Sequence, residues 1–86
     1  MTANQADRPY TDLGALVGSY RIKQGLTISA VAARALCAES AVLRLENGYL
    51  MPTGELLGRI SGALGLSPDE AAELREASRR LAPDRP

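Results

Sequence analysis

Residues 26–48, LTISAVAARALCAESAVLRLENG, constrain the fold more than any other stretch, because two short helical patterns follow one another with room for only a tight turn between them. Leu26, Val31, Ala32 and Ala35 form one apolar face, and Val42 and Leu45 begin another. Thr27 sits where a hydroxyl caps the first of the pair and Gly48 where a glycine ends the second, so Leu36 to Ala38 are left as the connection. Helices of about two turns are too short to stand alone. They need neighbours, and one face of the second remains for a partner. That spacing predicts a helix-turn-helix unit.

What those neighbours can be is limited by the residues available. The chain of 86 residues has no Phe or Trp and much Ala, so its core must be thin and built from Leu, Val and Ile on closely spaced helices. This favours an all-α domain over a β-sandwich. A single domain of this size buries only about 60% of its unfolded surface, which makes help from a second subunit expected. With no His and one Cys, there is neither a metal cluster of usual ligand spacing nor a Ser/His/Asp or Cys/His dyad. The expectation is therefore no enzyme, no metal and no cofactor. One Cys forms no internal disulfide, no charged-then-apolar signal opens the sequence, and no run of about 18 apolar residues is present. The cytoplasm is the expected location, with no membrane partner.

In chain order, residues 1–10 read as a disordered N-terminal arm, 11–82 as the helix-turn-helix domain and 83–86 as a C-terminal tail. Thr11 or Asp12 is expected to cap a first helix running to about Gln24, with Gly25 as its terminator and Leu13, Leu16, Val17 and Tyr20 on one side. The second helix spans about 28–34 and the third about 39–46. Counting about 100° per residue with Val42 and Leu45 inward, Ser40, Leu43, Arg44 and Asn47 point away from the core and Glu39 lies at the flank. Pro52-Thr53 starts a fourth helix to about Leu64, with Leu56, Leu57, Ile60 and Leu64 inward and Gly54, Gly58 and Gly62 opposite. Such a smooth stripe permits close approach by another helix. Ser67-Pro68-Asp69-Glu70 combines a cap, a proline at the first helical position and an acid three residues after the serine, so a fifth helix is expected to run to about Leu81. Ala71, Leu74, Ala77 and Leu81 form its apolar face. Its arginines and acids read as a solvated surface.

The ordered set Leu26-Thr27, Val31-Ala32, Ala35, Cys37, Val42, Arg44-Leu45-Glu46-Asn47-Gly48, Pro52-Thr53 and Ala63-Leu64-Gly65-Leu66-Ser67-Pro68 resembles the lambda-repressor-like, or XRE, class of helix-turn-helix regulators. The resemblance covers roughly residues 13–81. It implies a five-helix lambda-repressor-like domain in which Glu39, Ser40, Leu43 and Arg44 face the major groove of double-stranded DNA, with Thr27 and Asn47 beside them. It also implies a structural ion pair between Arg21 and Glu46. The implied function is sequence-specific DNA binding by a transcriptional regulator acting as a homodimer.

Several positions depart from that pattern. Ile28 stands where relatives often place a phosphate-touching glutamine, Leu36 replaces the turn's glycine, and Ala38 lacks the hydroxyl or amide that caps the third helix. Tyr49, Leu50 and Met51 stand where relatives carry lysine or arginine. Ten basic and ten acidic residues leave the chain neutral, and within 26–51 Arg34 and Arg44 are cancelled by Glu39 and Glu46. A DNA binder usually shows a basic excess. The alternative is a protein-interaction module on the same scaffold, meeting a partner through Leu43, Tyr49, Leu50 and Met51, with Ile28 at the edge of the patch. Leu50 and Met51 tucked under the fourth helix would leave that patch smaller.

Overall fold

The computed structural model of the protein describes residues 9–81. The expected arm at 1–10 lies outside that range except for Pro9 and Tyr10, and the expected tail at 83–86 lies wholly outside it. Five helices and no strand occur among the described residues: α1 (Thr11–Lys23), α2 (Ile28–Ala35), α3 (Glu39–Glu46), α4 (Gly54–Ala63) and α5 (Pro68–Leu81). This is the all-α, five-helix architecture expected from the sequence.

The helices pack in a closed ring. α1 lies on α3, α3 on α2, α2 on α4, α4 on α5 and α5 back on α1. Each short helix thereby gains two neighbours for its apolar stripe, which answers the problem that two-turn helices pose in isolation. Leu13 and Val17, Val31 and Ala35, Val42 and Leu45, Ile60 and Leu64, and Leu74 meet at the centre, all fully buried. No buried polar side chain lacks a partner among the described residues.

Local chemistry fixes most helix ends. Thr27 Oγ1 accepts from the Ala30 N–H at 3.0 Å and Thr53 Oγ1 from Leu56 at 3.1 Å. At α5 the cap is reciprocal: Ser67 Oγ accepts from the Glu70 N–H at 3.1 Å while Glu70 Oε1 accepts from the Ser67 N–H at 2.9 Å. The start of α1 differs from expectation. Neither Thr11 nor Asp12 caps it; Tyr10 holds that position with no side-chain cap, and Thr11 is already helical. The start is set from outside the helix, by the Tyr10 N–H donating to the Gly48 carbonyl at 3.0 Å.

Gly48 therefore does two things. At φ 86° it ends α3 in a left-handed conformation, with the Tyr49 N–H reaching back to the Arg44 carbonyl and its own N–H to Leu45. It also lies directly under α1, where a Cβ would come within 2.7 Å of Thr11 Cγ2.

Two arginines tie α2 to α4. Arg59 Nε donates to the Ala35 carbonyl at the end of α2 at 2.9 Å, and Arg34 Nη1 reaches the Ala63 carbonyl at the end of α4 at 3.4 Å. Each guanidinium thus meets the negative end of the opposite helix. Leu50 and Met51 pack against the core, with Met51 Sδ accepting from Ser78 Oγ on α5 at 3.5 Å. Cys37 is half-buried against that core as well. Gly54, Gly58 and Gly62 face outward, and a Cβ on any of them would meet nothing. Leu56, expected inward, is half-buried.

α5 is joined to α1 by Tyr20, whose hydroxyl donates to Glu73 Oε1 at 2.5 Å. That hydrogen bond to a carboxylate, together with burial and the charges of Glu73 and Glu70, pushes the Tyr20 pKa up to about 12. Because the folded value lies above the unfolded one, this stabilisation is complete below about pH 10 and is lost as pH rises toward 12. Tyr20→Phe is expected to lower stability by about 1.5 kcal/mol near neutrality. In urea titrations the gap between the two proteins should close above pH 10, and a gap that stays constant to pH 12 would contradict the assignment.

Candidate nucleic-acid interface

The connection between α2 and α3 sets how α3 is presented. α2 ends at Leu36, which takes φ 59° and ψ 47°, the left-handed conformation that glycine adopts easily and a leucine adopts at a cost of about 1–2 kcal/mol. The Cys37 N–H returns to the Ala32 carbonyl at 3.0 Å and the Leu36 N–H to Ala33 at 3.3 Å, so the turn stays tight without glycine. The strain falls on a side chain that is 78% exposed.

α3 then starts at Glu39 behind Ala38, whose backbone is extended and whose methyl makes no cap. Val42 and Leu45 are buried against the neighbouring helices, and Glu39, Ser40, Leu43, Arg44 and Asn47 are all exposed. These five side chains share the outer surface of α3. None lies among those lining the groove between the start of α4 and α5, which is formed by Met51, Pro52, Leu57, Arg75 and Ser78 with their neighbours. The surface is a projecting helix face, suited to entering a groove rather than enclosing a small ligand.

Thr27 lies beside it at the start of α2. Its hydroxyl oxygen is occupied by the Ala30 N–H, while the N–H groups of Ile28 and Ser29 in the first helical turn have no intrahelical acceptor. Such a helix start favours a phosphate oxygen.

The electrostatics differ from a count along the sequence. Glu46 does not face outward with Arg44: its Oε2 accepts from Arg21 Nε at 2.7 Å and its Oε1 from Arg21 Nη2 at 3.1 Å. Arg21 Nη1 also donates to the Leu26 carbonyl at 2.9 Å. The hydrogen bonds that Arg21 donates to Glu46 hold its guanidinium above its ordinary range, against the opposing effect of burial. Arg34 is drawn to the end of α4. Of the four charges between residues 26 and 51, only Arg44 and Glu39 remain on the outer face of α3.

Glu39 is not free either. Its Oε2 accepts from Ser29 Oγ, on the first turn of α2, at 2.8 Å. Ser29 is a contributor to this surface that the residue pattern gave no reason to single out. The apolar part of the surface is also smaller than the pattern suggested. Leu43 is 50% and Tyr49 54% exposed, but Ile28, Leu50 and Met51 pack on the core.

The sequence profile of the helix-turn-helix family matches residues 17–70, from the middle of α1 into α5. The chain belongs to that family, in its lambda-repressor-like, XRE-type branch. It is a DNA-binding family, and here the helix-turn-helix pair is α2 and α3. No curated protein and no solved structure matches the chain. Within this helix-turn-helix domain no helix among the described residues is long and apolar enough to cross a membrane.

Proposed function

We propose that the protein is a sequence-specific DNA-binding transcriptional regulator of the XRE helix-turn-helix type, acting in the cytoplasm without a cofactor and placing α3 in the major groove. The observation that carries this reading is the outer face of α3, where Glu39, Ser40, Leu43, Arg44 and Asn47 are exposed beside the start of α2. Arg44 is the residue able to bond a guanine edge or a phosphate, Ser40 serves several bases, Leu43 meets a thymine methyl, and Thr27 with the first turn of α2 takes a phosphate. A homodimer sets two such helices about 34 Å apart, one turn of DNA, and calls for a two-fold symmetric operator. Support for a second copy comes from the domain's small core and from the open glycine face of α4, where helices can approach closely.

The rival reading, a protein-interaction module, draws on the exposed Leu43 and Tyr49 and on the mutual cancellation of Arg44 and Glu39. Binding to duplex DNA at low salt separates the two. A salt-sensitive shift is expected, and Arg44→Ala should weaken it about tenfold or more, with the helical content of the variant unchanged. No detectable shift for the unaltered chain would favour the protein partner instead.

A further inference from the structure

An acid on a surface that meets phosphates opposes binding to every duplex alike. Glu39 is such an acid, and among the described residues no lysine or arginine lies within ion-pair distance of it. The bond from Ser29 neutralises none of its charge. What that bond does is fix a direction. Ser29 and Glu39 stand on the first turns of α2 and α3, the two elements of the reading unit, and the 2.8 Å contact from Ser29 Oγ occupies Oε2. The other carboxylate oxygen, Oε1, has no partner among the described residues and is left to meet whatever α3 approaches.

In the major groove a carboxylate has one good counterpart. Cytosine presents the N4 amino group as its donor, guanine presents only the acceptors N7 and O6, thymine presents O4 and a methyl, and adenine sets N7 beside its amino group. A carboxylate in a fixed place therefore accepts best from cytosine, less well from adenine, whose N7 opposes it, and finds no donor on guanine or thymine. A carboxylate free to rotate would swing into water and discriminate little.

We propose that Ser29 is a positioning residue for base selection: by holding Glu39 it makes the start of α3 demand cytosine at one position of each half-site, trading general affinity for stringency. This rests on the DNA-binding reading above. It concerns one base pair and the hydroxyl of one residue of α2, which acts through Glu39 without itself touching a base.

The test is selection of bound fragments from a randomised duplex library at fixed salt, run with the unaltered chain and with three variants. The unaltered chain should enrich a half-site with cytosine at one invariant position, disfavouring other bases there by about tenfold. Glu39→Gln should move that position to adenine, since a carboxamide pairs with N6 and N7, while the rest of the half-site stays the same. Ser29→Ala should keep the half-site but relax the cytosine position to a twofold preference or less. Ser29→Thr, which retains the hydroxyl, should restore it. A purely structural role for the Ser29–Glu39 bond would lower stability or affinity without changing the preferred base. Enrichment of the same half-site by the unaltered chain and all three variants would overturn the inference while leaving the DNA-binding reading intact. Failure of the unaltered chain to enrich any sequence would overturn both.

Discussion

Gly14→Ala is expected to damage the fold severely although it adds only a single methyl. A Cβ at Gly14 would fall against the Leu45 carbonyl oxygen and 2.5 Å from that of Glu46. Both obstacles are backbone at the end of α3, so no rotamer change relieves them; α1 has to move away from α3 and loosen the contacts of Leu13 and Val17. Overpacking of this kind costs about 3 kcal/mol. For a domain this small that corresponds to a fall in Tm of about 12–24 °C. Two other glycines provide the scale. At Gly18 the added methyl meets the Glu46 Oε1 atom at 3.2 Å, the end of a side chain that can shift, so a modest loss is expected. At Gly58 it meets nothing, and alanine there should stabilise α4 by up to about 1 kcal/mol through helix propensity. Thermal unfolding of the three variants followed by circular dichroism should rank them Gly58→Ala, Gly18→Ala, Gly14→Ala in falling stability. Equal midpoints for Gly14→Ala and Gly58→Ala would refute the close contact of α1 and α3.

The contrast among these glycines also shows what a linear reading reaches. Thr27, Thr53 and Ser67 announce helix starts within three or four residues of themselves, and the 100° count places Val42 and Leu45 inward and Ser40, Leu43, Arg44 and Asn47 outward. Those are relations inside one helix. Gly14, Tyr10 and Ser29 take their meaning from residues 20 or more apart, or from across a turn whose shape depends on Leu36 adopting φ 59°. No local pattern separates Gly14, locked against α3, from Gly58, open to solvent. The same holds for charge: Arg34 and Arg44 look alike in sequence, yet one reaches the Ala63 carbonyl and the other stays on the outer face of α3. Leu50 and Met51 likewise fit either an exposed patch or a place under the fourth helix when read along the chain, and only the assembled core decides for the second. The family resemblance placed Arg21 opposite Glu46, a pairing of residues 25 positions apart that periodicity alone does not supply.

Glu46→Ala should also have a large effect, because Arg21 would be left with two donors facing a partly closed space and the Leu26 carbonyl as its one remaining acceptor among the described residues. The two side chains are 19% and 11% exposed, so water replaces the lost carboxylate poorly. Breaking a fully buried pair costs about 3–5 kcal/mol; with the residual exposure here, a loss of about 2 kcal/mol is expected in urea unfolding at neutral pH. Glu46→Gln keeps an acceptor oxygen and the shape, and should lose about half as much. Glu55→Ala, which removes the exposed Glu55–Arg59 pair, should change little. The Arg21–Glu46 pair holds α1 to the last turn of α3, two residues from Arg44, so its main contribution is geometric. Arg21→Met combined with Glu46→Leu should accordingly recover most of the stability lost in Glu46→Ala, since an apolar pair of similar volume avoids the desolvation of both charges. A Glu46→Ala variant that unfolds at the same urea concentration as the unaltered chain would mean that the ion pair bears no part of the α1–α3 contact.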